Sequence, residues 1–120
     1  MRNFAVLTML GFILSAAPAF AETMDATFGN TVTVTRPDGT VDSYFFEPDG
    51  SFVERSHDGH DYAGHWVRSG DSVCLTLPGH DGQDCAPFPL DKKLGDSWLL
   101  DSGGGSATIT LVAGRATRPS

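Results

Sequence analysis

From Asn30 onward the chain is built of short runs in which apolar and polar positions alternate. NTVTVT (30–35) puts Val32 and Val34 on one face, and SVCLTL (72–77) puts Val73, Leu75 and Leu77 on one face with Cys74 and Thr76 on the other. Period-two alternation of this kind predicts half-buried strands. The runs TVDSYFFE, SFVERS and DYAGHWVR carry the aromatic and β-branched residues that strands favour, and DSWLLD and SATITLV complete the set. QDCAPFPLDKK (83–93) differs: Pro87 and Pro89 cannot donate to a ladder, which predicts an edge strand or an irregular segment. Between the runs lie Asp38-Gly39, Asp49-Gly50, Asp58-Gly59, Gly70-Asp71, Asp81-Gly82 and Gly95-Asp96. Asp-Gly is a strong signal for a two-residue hairpin turn with both residues at positive φ. No helical periodicity appears in the mature chain. The expected fold is all-β: a small antiparallel meander of seven or eight strands, closed or partly closed into an up-and-down barrel with one hairpin disulfide.

The first 21 residues read differently. Arg2 is followed by the apolar stretch Phe4–Leu14 and then by Ala19-Phe20-Ala21, the three parts of a secretory signal with cleavage near Ala21. The apolar stretch is too short to span a bilayer. The expectation is a signal peptide over 1–21 and a single β domain over 22–120, with its core at about 28–115 and no membrane anchor after cleavage. The destination is the periplasm or the extracellular medium. A domain of this size buries only a thin core, so an additional staple matters.

Export gives the two cysteines, Cys74 and Cys85, an oxidising environment, where an even pair forms a disulfide. Their spacing is not the Cys-x-x-Cys of a redox pair, and two thiols alone make a poor metal set. A hairpin centred on Gly79-His80 places them directly opposite each other, at a Cβ separation of about 4.5–5.5 Å.

Charge narrows the partners. With Arg2 removed, 7 basic residues face 15 acidic ones, a net charge of −8 with histidine neutral. Such a field repels nucleic acid and anionic lipid. A closed barrel exposes few strand edges, which favours a monomer.

GNTVTVTRPDGTVDSYFFEPDGSF, then GHWVRSGDSVCLTL, a second cysteine, KKLGDSW and TITLVAGR together resemble a family of small exported proteins of alphaproteobacteria, over nearly all of residues 28–115. That family has no established activity. The resemblance implies export, a β meander and the cysteine pair, and assigns no catalytic residue. Gly64-x-Trp66 is also similar to the Gly-x-Trp of lipocalin and avidin barrels, although in those folds the motif lies near the start of the barrel.

Candidate chemistry is concentrated in SHDGHDYAGHW (56–66). A two-residue turn at Asp58-Gly59 would make His57 and His60 cross-strand neighbours, with His65 on the opposite face by parity. Successive hairpins alternate between the ends of a meander, so the His57–His60 turn and the second His-Asp-Gly, at His80-Asp81-Gly82, share one rim. His57, His60, His80, Asp58 and Asp81 are therefore the candidate ligands of a zinc or copper ion. Asp-Gly is also a turn former in its own right, beside which an exposed histidine needs no metal, and no cofactor is required by this pattern. No nucleophile elbow, phosphate loop or paired carboxylates stand out, so the chain reads as a non-enzyme. The aromatic residues Tyr44, Phe45, Phe46, Phe52, Tyr62, Trp66, Phe88 and Trp98 exceed what a minimal core needs, and some are candidates to line a pocket. The expected function is that of a binding or accessory domain whose partner is a small ligand or an envelope protein. The alternatives are a metal-binding rim and a small-ligand-binding barrel.

Overall fold

The structure, a computed structural model, describes residues 22–102 and 105–115. The expected leader and its cleavage point lie outside the described residues. One short helix, α1 (Thr23–Thr27), precedes eight strands: β1 (Thr31–Thr35), β2 (Val41–Phe46), β3 (Ser51–Arg55), β4 (Asp61–Ser69), β5 (Ser72–Thr76), β6 (Asp84–Pro87), β7 (Ser97–Ser102) and β8 (Gly105–Val112). All pairings are antiparallel, in the order β6-β5-β4-β3-β2-β1-β8-β7, a nearly closed barrel. The eight-strand alternative of the sequence reading is therefore the one observed.

The seam of the barrel follows from composition. The first and last strands pair over five residues, Thr31 with Val112 through Thr35 with Thr108. The opening falls instead between β6 and β7. Pro87 and Pro89 stand there, and a residue without an N–H cannot extend a ladder. Side chains bridge the gap: the rings of Phe88 and Trp98 meet edge-to-face with centroids 5.1 Å apart.

Register assigns the faces. Leu111, Val32, Tyr44 and Glu54 lie in one row across β8, β1, β2 and β3, and Phe46, Phe52 and Gly64 lie in another across β2, β3 and β4. These rows point inward, where Val32, Phe46, Phe52, Val73, Phe88, Ile109 and Leu111 form the core. The parity expected for Val73 and Leu75 on one face and Cys74 on the other agrees with the register. The helix closes one end. Thr23, Met24 and Thr27 are buried, and the Glu22 carboxylate both accepts the Met24 N–H at 3.0 Å and pairs with Arg68. Thr23 donates to the Pro89 carbonyl and accepts from the Lys92 N–H, which ties the helix to the β6–β7 connection.

The first three hairpins correct the expected turn. The Gly39 N–H donates to the Arg36 carbonyl and the Arg36 N–H to the Thr40 carbonyl. The same two bonds recur at Glu47/Gly50/Ser51 and at Ser56/Gly59/His60. These are three-residue loops, a type I turn followed by a glycine at positive φ, rather than two-residue turns. Each loop also holds an aspartate whose Oδ1 accepts the N–H two residues on: Asp38 from Thr40, Asp49 from Ser51 and Asp58 from His60. This side-chain turn is why aspartate stands at the same place in all three loops.

Cys74 and Cys85 are directly paired across β5 and β6 and are disulfide-bonded, with a Cα–Cα distance of 3.9 Å. The bond fastens the short edge strand β6, which has four residues and whose outer edge pairs with no strand among the described residues. Closing a loop with a sequence separation of 11 contributes about 2–3 kcal/mol by chain entropy. Reduction is therefore expected to lower unfolding free energy by about that amount, read as a fall in the urea midpoint. An unchanged midpoint after complete reduction would show that β6 holds without its staple.

Candidate functional site

The end of the barrel opposite α1 is not filled. A cavity of about 320 Å³ opens there. Its wall is mostly apolar: Val32, Val34, Phe46, Val73, Leu75, Leu77, Phe88, Leu100 and Ile109. Each comes from an inward position of its strand or of the segment flanking it, so the cavity is the unoccupied upper part of the core. Two polar side chains from adjacent strands enter this wall. Tyr44 and Glu54 are cross-strand partners, close enough for each to shift the other's proton affinity. His80, Asp81, Gly82 and Asp84, from the β5–β6 loop and the start of β6, border the mouth.

Electrostatics separates the carboxyl groups. Burial, and then the negative charge of Asp42, push the Glu54 carboxyl above the usual carboxylate range, while Tyr44 and Arg36 pull weakly the other way. Burial raises the Tyr44 hydroxyl as well, with Glu54 and Asp42 adding to the shift. Asp42 behaves oppositely, although it is only 1% exposed. Burial alone would raise it, but the Arg36 guanidinium and the His57 N–H, at 2.9 Å, outweigh that and hold it below its ordinary value. Charge-assisted bonds of this kind favour the ionised form.

The two shifts have opposite consequences for stability. Asp42, depressed in the folded state, supplies stability that is present above the ordinary carboxylate pKa and is lost as pH falls through its lowered value. Glu54, raised in the folded state, supplies stability that is present below the ordinary value and is lost as pH rises through its raised value. Asp42→Asn is therefore expected to cost about 2 kcal/mol near pH 7 by removing a charged hydrogen-bond partner, and the difference from wild type should shrink as pH falls. Urea unfolding between pH 7 and pH 3 measures this, and a pH-independent gap would refute it.

The expected metal rim is assembled differently from the prediction. Because the β3–β4 loop has three residues, Ser56 rather than His57 stands opposite His60. His57 turns back to Asp42, its Nδ1 3.4 Å from the carboxylate, while the His60 ring lies 3.0 Å from Asp58. The His60 amide, then its ring, draw the exposed Asp58 carboxyl down to about 2. His80 and Asp81 lie at the cavity mouth, whose lining includes neither His57, Asp58 nor His60. Among the described residues no group of three or more His, Cys, Asp or Glu side chains is placed to hold a metal ion. His65 faces away from the interior, as parity predicts, and lines an open depression of about 490 Å³ on the outer surface with Phe45, Ala63 and Pro78.

The sequence reading missed Glu54 and the pairing that gives it a role. The signal was there: SYFFE and SFVERS are consecutive alternating runs, and a hairpin centred on Asp49 sets Tyr44 opposite Glu54. No family model matches the chain, and comparison with the curated proteins and with solved structures returns no match.

Proposed function

We propose that this domain is a binding barrel for a small, mainly apolar molecule, acting in the periplasm or outside the cell after its leader is removed. The observation that carries the reading is the cavity of about 320 Å³ at the open end, with an apolar wall and one internal polar pair, Tyr44 and Glu54. Eight-stranded barrels have interiors that side chains just fill, or that hold one small ligand. A volume of about 300 Å³ or more with few, placed polar groups is typical of ligand sites. Closure of the other end by α1 leaves the site open on the side away from the helix. The leader pattern and the disulfide support an oxidising compartment. No helix among the described residues is long and apolar enough to cross a membrane.

The test is titration of the mature domain with the neutral fluorophore N-phenyl-1-naphthylamine. The expected result is saturable binding of one molecule per chain. Leu75→Trp, which fills the cavity from its wall, should abolish binding while leaving the circular dichroism spectrum unchanged. A folded wild-type domain without saturable binding would overturn the proposal.

A further inference from the structure

The charge around the cavity is one-sided. Among the described residues, the ionisable side chains along its lining, besides Tyr44 and His80, are Glu54, Asp81 and Asp84, and neither lysine nor arginine is among them. Arg36, whose charge reaches Glu54 and Tyr44, is committed to Asp42. Glu54 forms no ion pair among the described residues; its cross-strand neighbour is the neutral Tyr44. A partly buried carboxylate without a counter-ion is costly, and a ligand cation that docks beside it removes that cost. A ligand carboxylate would instead add a like charge to a low-dielectric site. The apolar wall supplies the rest of the contact, so the complementary molecule is amphiphilic.

We infer that the cavity selects an apolar amine, a hydrocarbon body carrying one ammonium group that meets Glu54, over neutral and carboxylate-bearing molecules of the same shape. The inference rests on the cavity being a binding site, as proposed above. The raised position of the Glu54 carboxyl, from burial and then from Asp42, agrees with a missing positive charge. Tyr44 stands beside Glu54 on the same wall of the cavity. Asp81 and Asp84 at the mouth add attraction at longer range, which steers a cation inward and repels an anion.

The experiment compares nonylamine, nonan-1-ol and nonanoic acid, which share a chain and differ in head group. Each is used at pH 7 and low salt to displace N-phenyl-1-naphthylamine from the full mature domain. The expected order is amine, then alcohol, then acid, with the amine about tenfold or more tighter than the alcohol, as a charge-assisted contact gives. Glu54→Gln should remove the amine's advantage over the alcohol. Equal binding of amine and alcohol, tightest binding of the acid, or an amine advantage that survives Glu54→Gln would overturn the inference while leaving the binding barrel intact. The three wild-type affinities decide the order even if the variant does not fold. Absence of binding by all three and by the fluorophore would instead remove the binding reading, and this inference with it.

Discussion

Gly64→Ala is expected to destabilise the domain by about 3 kcal/mol, at the upper end of what overpacking a core costs. Gly64 occupies an inward position of β4, opposite Phe52 of β3. A Cβ added there would lie 2.3 Å from the Thr76 carbonyl oxygen and 2.8 Å from Cε1 of Phe52. The carbonyl belongs to the β5 backbone beside β4, and moving it breaks ladder bonds. Phe52 itself has no room to yield, being 1% exposed and packed against Tyr44 and Phe46. Gly39→Ala is the control. Nothing lies within 4 Å of its added Cβ, and only the φ of 89° opposes the change. Its cost should be about 1–2 kcal/mol, that of one residue held in the left-handed region. Urea unfolding with a common m-value separates the two. If Gly64→Ala costs no more than Gly39→Ala, the close approach of β5 and Phe52 to Gly64 is not maintained in solution.

Alternation was enough to read the strands, because a strand with one buried face must repeat every second residue. It set Val73 with Leu75 on the face where they are found, and a hairpin centred on Gly79-His80 set Cys74 opposite Cys85. The turns were misread for a reason also present in the sequence. In RPDGT and EPDGS the proline precedes Asp-Gly, where a two-residue turn would need its N–H. Proline suits the first central position of a type I turn instead. Pro37 and Pro48 therefore already argued for three-residue loops, and SHDGH follows the same geometry with histidine in the proline position. That difference of one loop residue dissolves the expected pairing of His57 with His60 and releases His57 to Asp42. The helix was illegible because five residues show no period. The cavity was illegible because no single strand contains it: it is what the inward positions of seven strands leave over once α1 has closed only one end.

Phe46→Ala is expected to have the largest effect of any single change, a loss of about 3–5 kcal/mol. Domains of this kind are often stable by only about 5–15 kcal/mol, so the variant should sit near its unfolding threshold. Phe46 stands at the junction of the plugged and open halves. Its ring stacks on Tyr44 at 5.9 Å, meets Trp66 and Phe88 edge-on at 6.2 and 6.4 Å, and touches Phe52 at 5.8 Å. Four aromatic neighbours cannot all collapse into the space one ring leaves, so a void remains, continuous with the cavity Phe46 already lines. The adjacent Phe45→Ala provides the contrast. Phe45 faces outward, where the guanidinium groups of Arg55 and Arg115 lie 5.3 and 5.2 Å from its ring centre. Its loss should cost about 1–2 kcal/mol, mostly cation–π contact and partial burial. The enlarged void has a second readout. A ligand that binds only the folded state at 100 times its dissociation constant restores about 2.7 kcal/mol, so saturating N-phenyl-1-naphthylamine should recover much of the stability lost in Phe46→Ala. Equal losses in the two variants would mean that Tyr44, Phe45 and Phe46 do not alternate across the barrel wall. A full loss in Phe46→Ala without rescue would mean that the space it opens is not joined to the binding cavity.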